Sequence, residues 1–195
     1  MLAHSLLTDL GTAIVVFIAT NVDDILLLAA LFGGALMARA VVAGQFVGIA
    51  VLTAVSVGAA YAATAVPAQW IRWLGVLPIA LGLWLAVRLL RGQADDDDGL
   101  AAEKKFEAKL HSQVLGVAAI TIANGGDNLG VYIPLFAKDV SALPLYIGVF
   151  TVLTGVWCWL GYALVKNPVG AAVMARWGHI LLPIVLIAIG VHIMW

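Results

Sequence analysis

Cysteine is nearly missing from this chain of 195 residues, where Cys158 stands alone. A lone thiol excludes an internal disulfide, a CxxC redox pair and a thiolate metal cage, and with them the thiol-exchange membrane oxidoreductases. Charge is scarce too, at 11% of residues. No G-x-x-x-x-G-K-[ST] segment occurs, so the chain has no phosphate-cradling loop for ATP. No basic patch exists outside the short connecting segments, which leaves nucleic-acid binding without support. The excess is apolar: 64% of residues are hydrophobic and the mean hydropathy is +1.07, far from the balance of a soluble domain. The chain reads as an all-α integral membrane protein.

A membrane-crossing helix takes roughly 20 apolar residues, because the hydrocarbon core is about 30 Å thick and each residue rises about 1.5 Å. Six apolar runs qualify, at approximately 10–32, 41–64, 70–90, 113–136, 142–165 and 177–195, and they leave no room for a soluble catalytic domain. A signal peptide is the competing reading of the first run. No Lys or Arg precedes it, and it continues past Asp23 and Asp24 without a small-residue cleavage pattern, so it is taken as a true span. Between Arg91 and Gln113 lies a solvated stretch, Asp95 to Asp98 followed by AAEKKFEAKLH, that joins two halves of the chain. The expected organisation is a three-helix unit over 1–92, a cytoplasmic linker over 93–112 and a second three-helix unit over 113–195.

Orientation follows from the cations, which accumulate in cytoplasmic loops. With six spans, Arg39, Arg88, Arg91, Lys104, Lys105, Lys109, Lys166 and Arg176 share one side, and only Arg72 and Lys138 take the other. Both termini are therefore expected outside. The net charge of −1 says little, because it sums groups on two sides of a membrane.

The two halves resemble each other. A shift of 104 residues superposes Ile18 and Ala19 on Ile122 and Ala123, Asp23 on Asp127, Gly44 and Phe46 on Gly148 and Phe150, and Arg72 and Trp73 on Arg176 and Trp177. One residue later in register, Pro78 answers Pro183. An odd number of spans per unit makes the second unit enter the membrane from the opposite face, an inverted repeat of the kind secondary transporters use to build a midplane site.

The chemistry is expected in the first span of each unit. Asn21, Asp23 and Asp24 lie near the middle of run one, and Asn124, Asp127 and Asn128 near the middle of run four, whereas the other eight of the 11 acidic residues fall outside the runs or at their edges. An ionised carboxylate at the bilayer centre costs at least about 2.5 kcal/mol, and no Lys or Arg sits at similar depth to neutralise it. A single buried Asp is often only a hydrogen-bonded link between helices; three Asp and three Asn at related positions of two repeats point instead to a bound cation. Asn21 and Asp24 are three apart, as are Asn124 and Asp127, so each pair lies on one helical face, and Asn128 joins the second face. This spacing pairs Asp24 with Asp127, the 104 shift pairs Asp23 with it, and the sequence leaves both open. Gly125 and Gly126 are expected to break the fourth span and free backbone carbonyls for an ion, while Pro78 and Pro134 are candidate kinks.

Carboxylate and amide oxygens suit hard or borderline divalent cations. Three Asp offset a 2+ charge and leave a carboxylate to carry a proton when the ion departs, which makes Asp23, Asp24 and Asp127 the proton-coupling candidates. His4 and His111 lie in solvated segments, and His179 and His192 read as packing or interfacial residues rather than ligands. Cys158 and the methionines do not cluster with the Asp residues. Trp70, Trp73, Trp84, Trp177 and Trp195 fall near span ends, as interfacial anchors. Gly44 and Gly48 form a GxxxG, usually an intramolecular seam, and a homodimer stays open.

The segments FIATNVDDILLL (Phe17 to Leu28) and IANGGDNLGVYIPLF (Ile122 to Phe136) resemble the two signature segments of the cadmium-resistance transporter family, CadD type, within the LysE superfamily of exporters. The resemblance covers nearly the whole chain in length and hydropathy, and the NGGDN…YIPLF segment is fairly specific. It implies a bacterial plasma-membrane exporter of divalent cations, with the Asp and Asn of both segments as the site. A LysE-type exporter of amino acids or organic cations is the alternative; it favours aromatic residues beside the Asp pair, and the sequence neighbours are Val, Ile, Gly and Leu. An intramembrane aspartyl protease needs GxGD where this chain has Asn124 in NGGD, and the DDxxD of prenyl transferases fails because Asp24 is followed by Ile25, Leu26 and Leu27. A purely structural membrane subunit is a further alternative. The expected protein is a proton-coupled exporter of a divalent metal ion, not an enzyme, with no cofactor and with the bilayer and its cation as partners.

Overall fold

The computed structural model describes residues 2–22, 24–63, 65, 72–91, 110–167, 183–184 and 186–194. The helices are α1 (Leu2–Asn21), α2 (Asp24–Gly33), α3 (Ala38–Ala63), α4 (Val76–Leu90), α5 (Leu110–Asn124), α6 (Gly126–Lys138) and α7 (Leu143–Leu164), with a further helix, α8, over 186–194. No strand occurs among the described residues. Two continuous segments are long and apolar enough to cross a membrane, Ala38–Ala63 and Val140–Leu164, and the total rises to four when the bent pairs α1–α2 and α5–α6 each count as one span.

The structure amends the sequence reading in several places. Run 10–32 is not one rod but two helices, and so is run 113–136, where a break was expected. Within run 70–90 the regular helix is only Val76–Leu90, preceded by a 3₁₀ turn at Arg72–Gly75. Pro78 sits in the first turn of α4, where a missing N–H costs no hydrogen bond, so it starts this helix instead of kinking it. Pro134 is inside α6. The last three residues of the expected linker, 110–112, already belong to α5, and the acidic run Asp95 to Asp98 lies outside the described residues, as do Trp70, Arg176, Trp177, His179 and Trp195.

Packing joins the early part of the chain to the late part. The main partner of α3 is α5, and α7 lies against α1 and α2. Glycines permit these approaches. A Cβ on Gly44 would stand 2.5 Å from Val117 Cβ, and one on Gly48 2.5 Å from Thr121 Cβ, so the GxxxG is a seam within the chain. A Cβ on Gly161 of α7 would meet Leu28 of α2 at 2.7 Å, and one on Gly75 would stand 2.6 Å from the Gly190 carbonyl of α8. Outward, α3 presents Val47, Val51 and Val55 at helical spacing, while Gln45, Thr53 and Ser56 are buried. Apolar surface outside with polar groups inside is the arrangement a lipid solvent favours, since lipid cannot hydrogen-bond a polar side chain.

The two ends of the bundle are identifiable. At one, a cavity of about 280 Å³ is lined by Asp9, Thr12, Lys138, Asp139, Tyr146 and His192, and Lys138 Nζ donates to the His192 carbonyl at 2.6 Å. At the other, Met37 N–H donates to Gln113 Oε1 at 3.0 Å, and Phe32 meets Tyr162 edge-on with ring centroids 5.6 Å apart. The starts of α1 and α7 therefore share an end with the close of α6 and α8.

Candidate cation site

Both bent pairs break at their polar residues. Asn21 closes α1 and Asp24 opens α2, with a 57° turn between the axes; Asn124 closes α5 and Gly126 opens α6, with a 68° turn. Asn and Asp side chains compete for helical backbone partners and favour helix ends, which accounts for a break inside an otherwise apolar run. Gly125 occupies the second break at φ −78°, ψ 22°, a conformation open to other residues, but a Cβ there would run into the Leu52 side chain. Glycine thus lets the break approach α3 without displacing Leu52. At Gly126 a Cβ would find open space, with nothing within 4 Å, so of the two expected helix-breaking glycines only Gly125 packs against a neighbouring side chain.

The breaks also ease the burial of carboxylates. Asp24 and Asp127 lie in the first turns of α2 and α6. A helix N-terminus carries roughly half a positive charge and stabilises an anion there, which lowers the cost of a carboxylate at this depth. The C-terminal ends of α1 and α5, with their carbonyls, approach the same region, and helix C-termini favour cations.

The side chains knit the two breaks together. Asn124 Nδ2 donates to Asp24 Oδ1 at 2.8 Å, and Gln45 Nε2 makes a long 3.5 Å contact to Asp24 Oδ2. Thr121 Oγ1 lies 2.7 Å from Gln45 Oε1 and 3.1 Å from the Val117 carbonyl, and the Asp24 carboxylate, an acceptor, sets the Gln45 amide with its nitrogen toward it. On the other flank, Asn21 Nδ2 reaches the Phe17 carbonyl (2.9 Å), Thr20 Oγ1 (3.0 Å) and the Tyr132 hydroxyl (3.0 Å). The backbone carbonyl of Asn21 accepts from Trp157 Nε1 at 2.5 Å. Asp127 Oδ1 accepts the Asn128 N–H at 2.9 Å.

Burial separates the expected ligands. Asn21, Asp24 and Asn128 are 0%, 3% and 1% exposed, Asp127 is half-buried and Asn124 is exposed. Asp23 lies outside the described residues. Two buried amide oxygens, Asn21 Oδ1 and Asn128 Oδ1, find no hydrogen-bond donor among the described residues. Asn128 stands one helical turn before Tyr132 on α6, on the face that meets the end of α1. Among the described residues no three His, Cys, Asp or Glu side chains converge, so the acceptors assembled here are carboxylate and amide oxygens.

An aromatic layer closes one side. Phe17, Tyr132, Phe136, Phe150 and Trp157 pack with ring centroids 4.7–6.0 Å apart, and Tyr146 continues the layer toward the Asp9 and Lys138 end. The sequence neighbours of the Asp pair are aliphatic, as read, yet the fold supplies Tyr132 and Trp157 from other helices.

Sequence reading passed over Gln45, Thr121, Thr20, Tyr132 and Trp157. Gln45 had a signal, as the only amide or charged side chain in α3 after Arg39. The Thr hydroxyls had none, because Ser and Thr are routine in buried helices, where Ser56 and Thr154 simply bond back to the Leu52 and Phe150 carbonyls. Cys158 is buried in α7, and His192 lines the end cavity.

No curated protein and no solved structure matches the chain at a significant level. The family model for the cadmium resistance transporter does match, over residues 17–195, a stretch that contains both breaks and every buried polar group of the site, and the chain is a membrane protein of the cadmium resistance transporter family.

Proposed function

We propose that this protein is a secondary transporter that exports a divalent metal cation, with Asp24, Asp127, Asn21, Asn124 and Asn128 holding the ion, Asp23, next to Asp24 in the sequence, as a further candidate ligand, and protons moving inward in exchange. The observation that carries the reading is a pair of buried amide oxygens, Asn21 Oδ1 and Asn128 Oδ1, that meet no donor among the described residues, in a region that also holds Asp24 and Asp127. A buried oxygen without a donor costs about 1–3 kcal/mol, and a cation relieves that cost where another hydrogen-bond acceptor would add to it. Oxygen donors of this kind suit hard or borderline ions.

Six spans in two inverted units form part of the proposal, and so does placement in the LysE superfamily as a CadD-type member. Its support is the matching of breaks, Asn21 with Asn124 and Asp24 with Asp127 at a shift of 103, together with packing that crosses between halves, α3 on α5 and α7 on α1 and α2. The cation distribution supports both termini outside a bacterial plasma membrane. On that orientation the aromatic layer closes the site toward the outside. Proton exchange is the economical energy source for a chain without an ATP-binding loop, because carboxylate ligands released by the metal can take up protons.

Tyr132 and Trp157 beside Asn21 favour a second reading, an exporter of an organic cation whose ammonium group meets Asp24 against aromatic rings. One experiment separates the two. Purified protein in detergent is melted with Mg, Mn, Zn, Cd and Ca ions and with lysine or choline; a bound ligand raises the melting temperature by mass action. A rise with divalent ions that is lost in Asp24→Asn supports metal export. A rise with the organic cations alone overturns it.

A further inference from the structure

We propose that Tyr132 is a positioning residue for the cation site: its hydroxyl aims and polarises the Asn21 amide so that Asn21 Oδ1 faces the ion. The inference rests on the metal-export reading and extends it to a residue that does not touch the ion.

The Asn21 amide nitrogen has only hydrogens to give, so the Tyr132 hydroxyl accepts from it at 3.0 Å, as Thr20 Oγ1 does at 3.0 Å. Between Thr20 Oγ1 and the Tyr132 hydroxyl, 3.2 Å apart, either oxygen can donate; with the Thr20 hydrogen on the Val16 carbonyl at 3.1 Å, Tyr132 donates to Thr20. These contacts form a relay from the Asn21 amide nitrogen through the Tyr132 and Thr20 hydroxyls to a backbone carbonyl. The Phe17 carbonyl, 2.9 Å from Nδ2, blocks the flipped amide, since two carbonyl oxygens would then face each other.

Two consequences follow for Asn21. Its amide nitrogen is engaged on one side, which leaves Oδ1 as the end without a donor among the described residues, at 0% exposure. Chained donors also polarise one another, so an amide that donates into the relay carries a more negative oxygen. Tyr132 lies on α6 and Asn21 at the end of α1, 111 residues apart, so the relay also ties the first break to the helix that follows the second.

The test is a double-mutant cycle on the full chain in detergent, with Mn and Cd ion affinity measured by titration calorimetry. Tyr132→Phe keeps the ring in the aromatic layer and removes only the hydroxyl; it should weaken Mn binding about fivefold to tenfold, the effect of one hydrogen bond. Cd binding should weaken less, because a softer ion depends less on a fixed amide oxygen. In an Asn21→Ala background the same change should cost nothing further, since the ligand it aims is gone. Thr20→Val, which removes the hydroxyl that links Tyr132 to the Val16 carbonyl and also accepts from Asn21 Nδ2, should reproduce the loss, and it serves as the second probe if Tyr132→Phe melts far below the parent. Equal and additive losses in both backgrounds would overturn the positioning role while leaving the site intact. Unchanged metal binding in Asn21→Ala would instead overturn the membership of Asn21 in the site, and this inference with it.

Discussion

Asn124 Nδ2 donates to Asp24 Oδ1 at 2.8 Å, across 100 residues of chain and between two separate helix breaks. The amide thus rests on a carboxylate oxygen that a cation would also seek. For an ion to bind Asp24 there, Asn124 must turn its oxygen inward or withdraw, and its exposure allows either. Binding and rearrangement of the second break are coupled through this one contact.

Substitution at the two residues should therefore differ in severity. Asp24→Asn and Asp127→Asn each remove a charge that offsets the ion, and loss of one partner from a buried charged set costs about 3 kcal/mol or more, roughly a hundredfold in affinity. Transport in liposomes should be abolished in both. Asn124→Ala should weaken it only several-fold, because water replaces a neutral ligand. An active Asp24→Asn variant would remove Asp24 from the mechanism.

The pH dependence has a definite sign. Carboxylates bind metal in the deprotonated form, so protons and metal compete and the dissociation constant for the ion should rise as pH falls. An imposed pH gradient should drive metal flux in liposomes, and a metal gradient should move protons. Metal flux indifferent to the pH gradient would refute exchange and favour a channel.

Glycine substitutions in the α3–α5 seam test the packing that positions Gln45 and Thr121. Gly48→Ala places a Cβ 2.5 Å from Thr121 Cβ and should destabilise by about 1–3 kcal/mol, with partial rescue by Thr121→Ala. Gly44→Ala meets the Val114 backbone carbonyl at 2.8 Å as well as the Val117 side chain, so trimming Val117 should rescue less. Gly126→Ala, with open space, should leave the melting temperature near that of the parent. Thermal unfolding in detergent reads all three.

Topology is open to cysteine labelling in a Cys158→Ala background. Because Asp9, Asp139 and His192 line one cavity, cysteines at Ser5 and Ser141 should label from the same side, predicted to be the outside, and cysteines at Met37 and Gln93 from the other. Ser5 and Ser141 on opposite sides would break the arrangement of ends. A consistent but reversed pattern would overturn the orientation alone.

Membrane residence, an all-helical fold and the Asp and Asn segments were legible in the sequence by itself, because each depends on local chemistry: apolar runs of sufficient length, and polar groups where lipid permits few. The break at Gly125 was readable for the same reason. Tertiary structure alone decided the rest. It split the first run after Asn21, packed Gly125 against Leu52, turned Pro78 from a candidate kink into the start of α4, and drew Gln45, Thr121, Thr20, Tyr132 and Trp157 around the two breaks. These partners come from helices 21 to 136 residues away along the chain from the residues they contact, apart from neighbouring Thr20, and no periodicity encodes such distances. Helix and hydropathy are properties of a local window, whereas the aim of a buried amide depends on whichever donors and acceptors the packed helices bring to it.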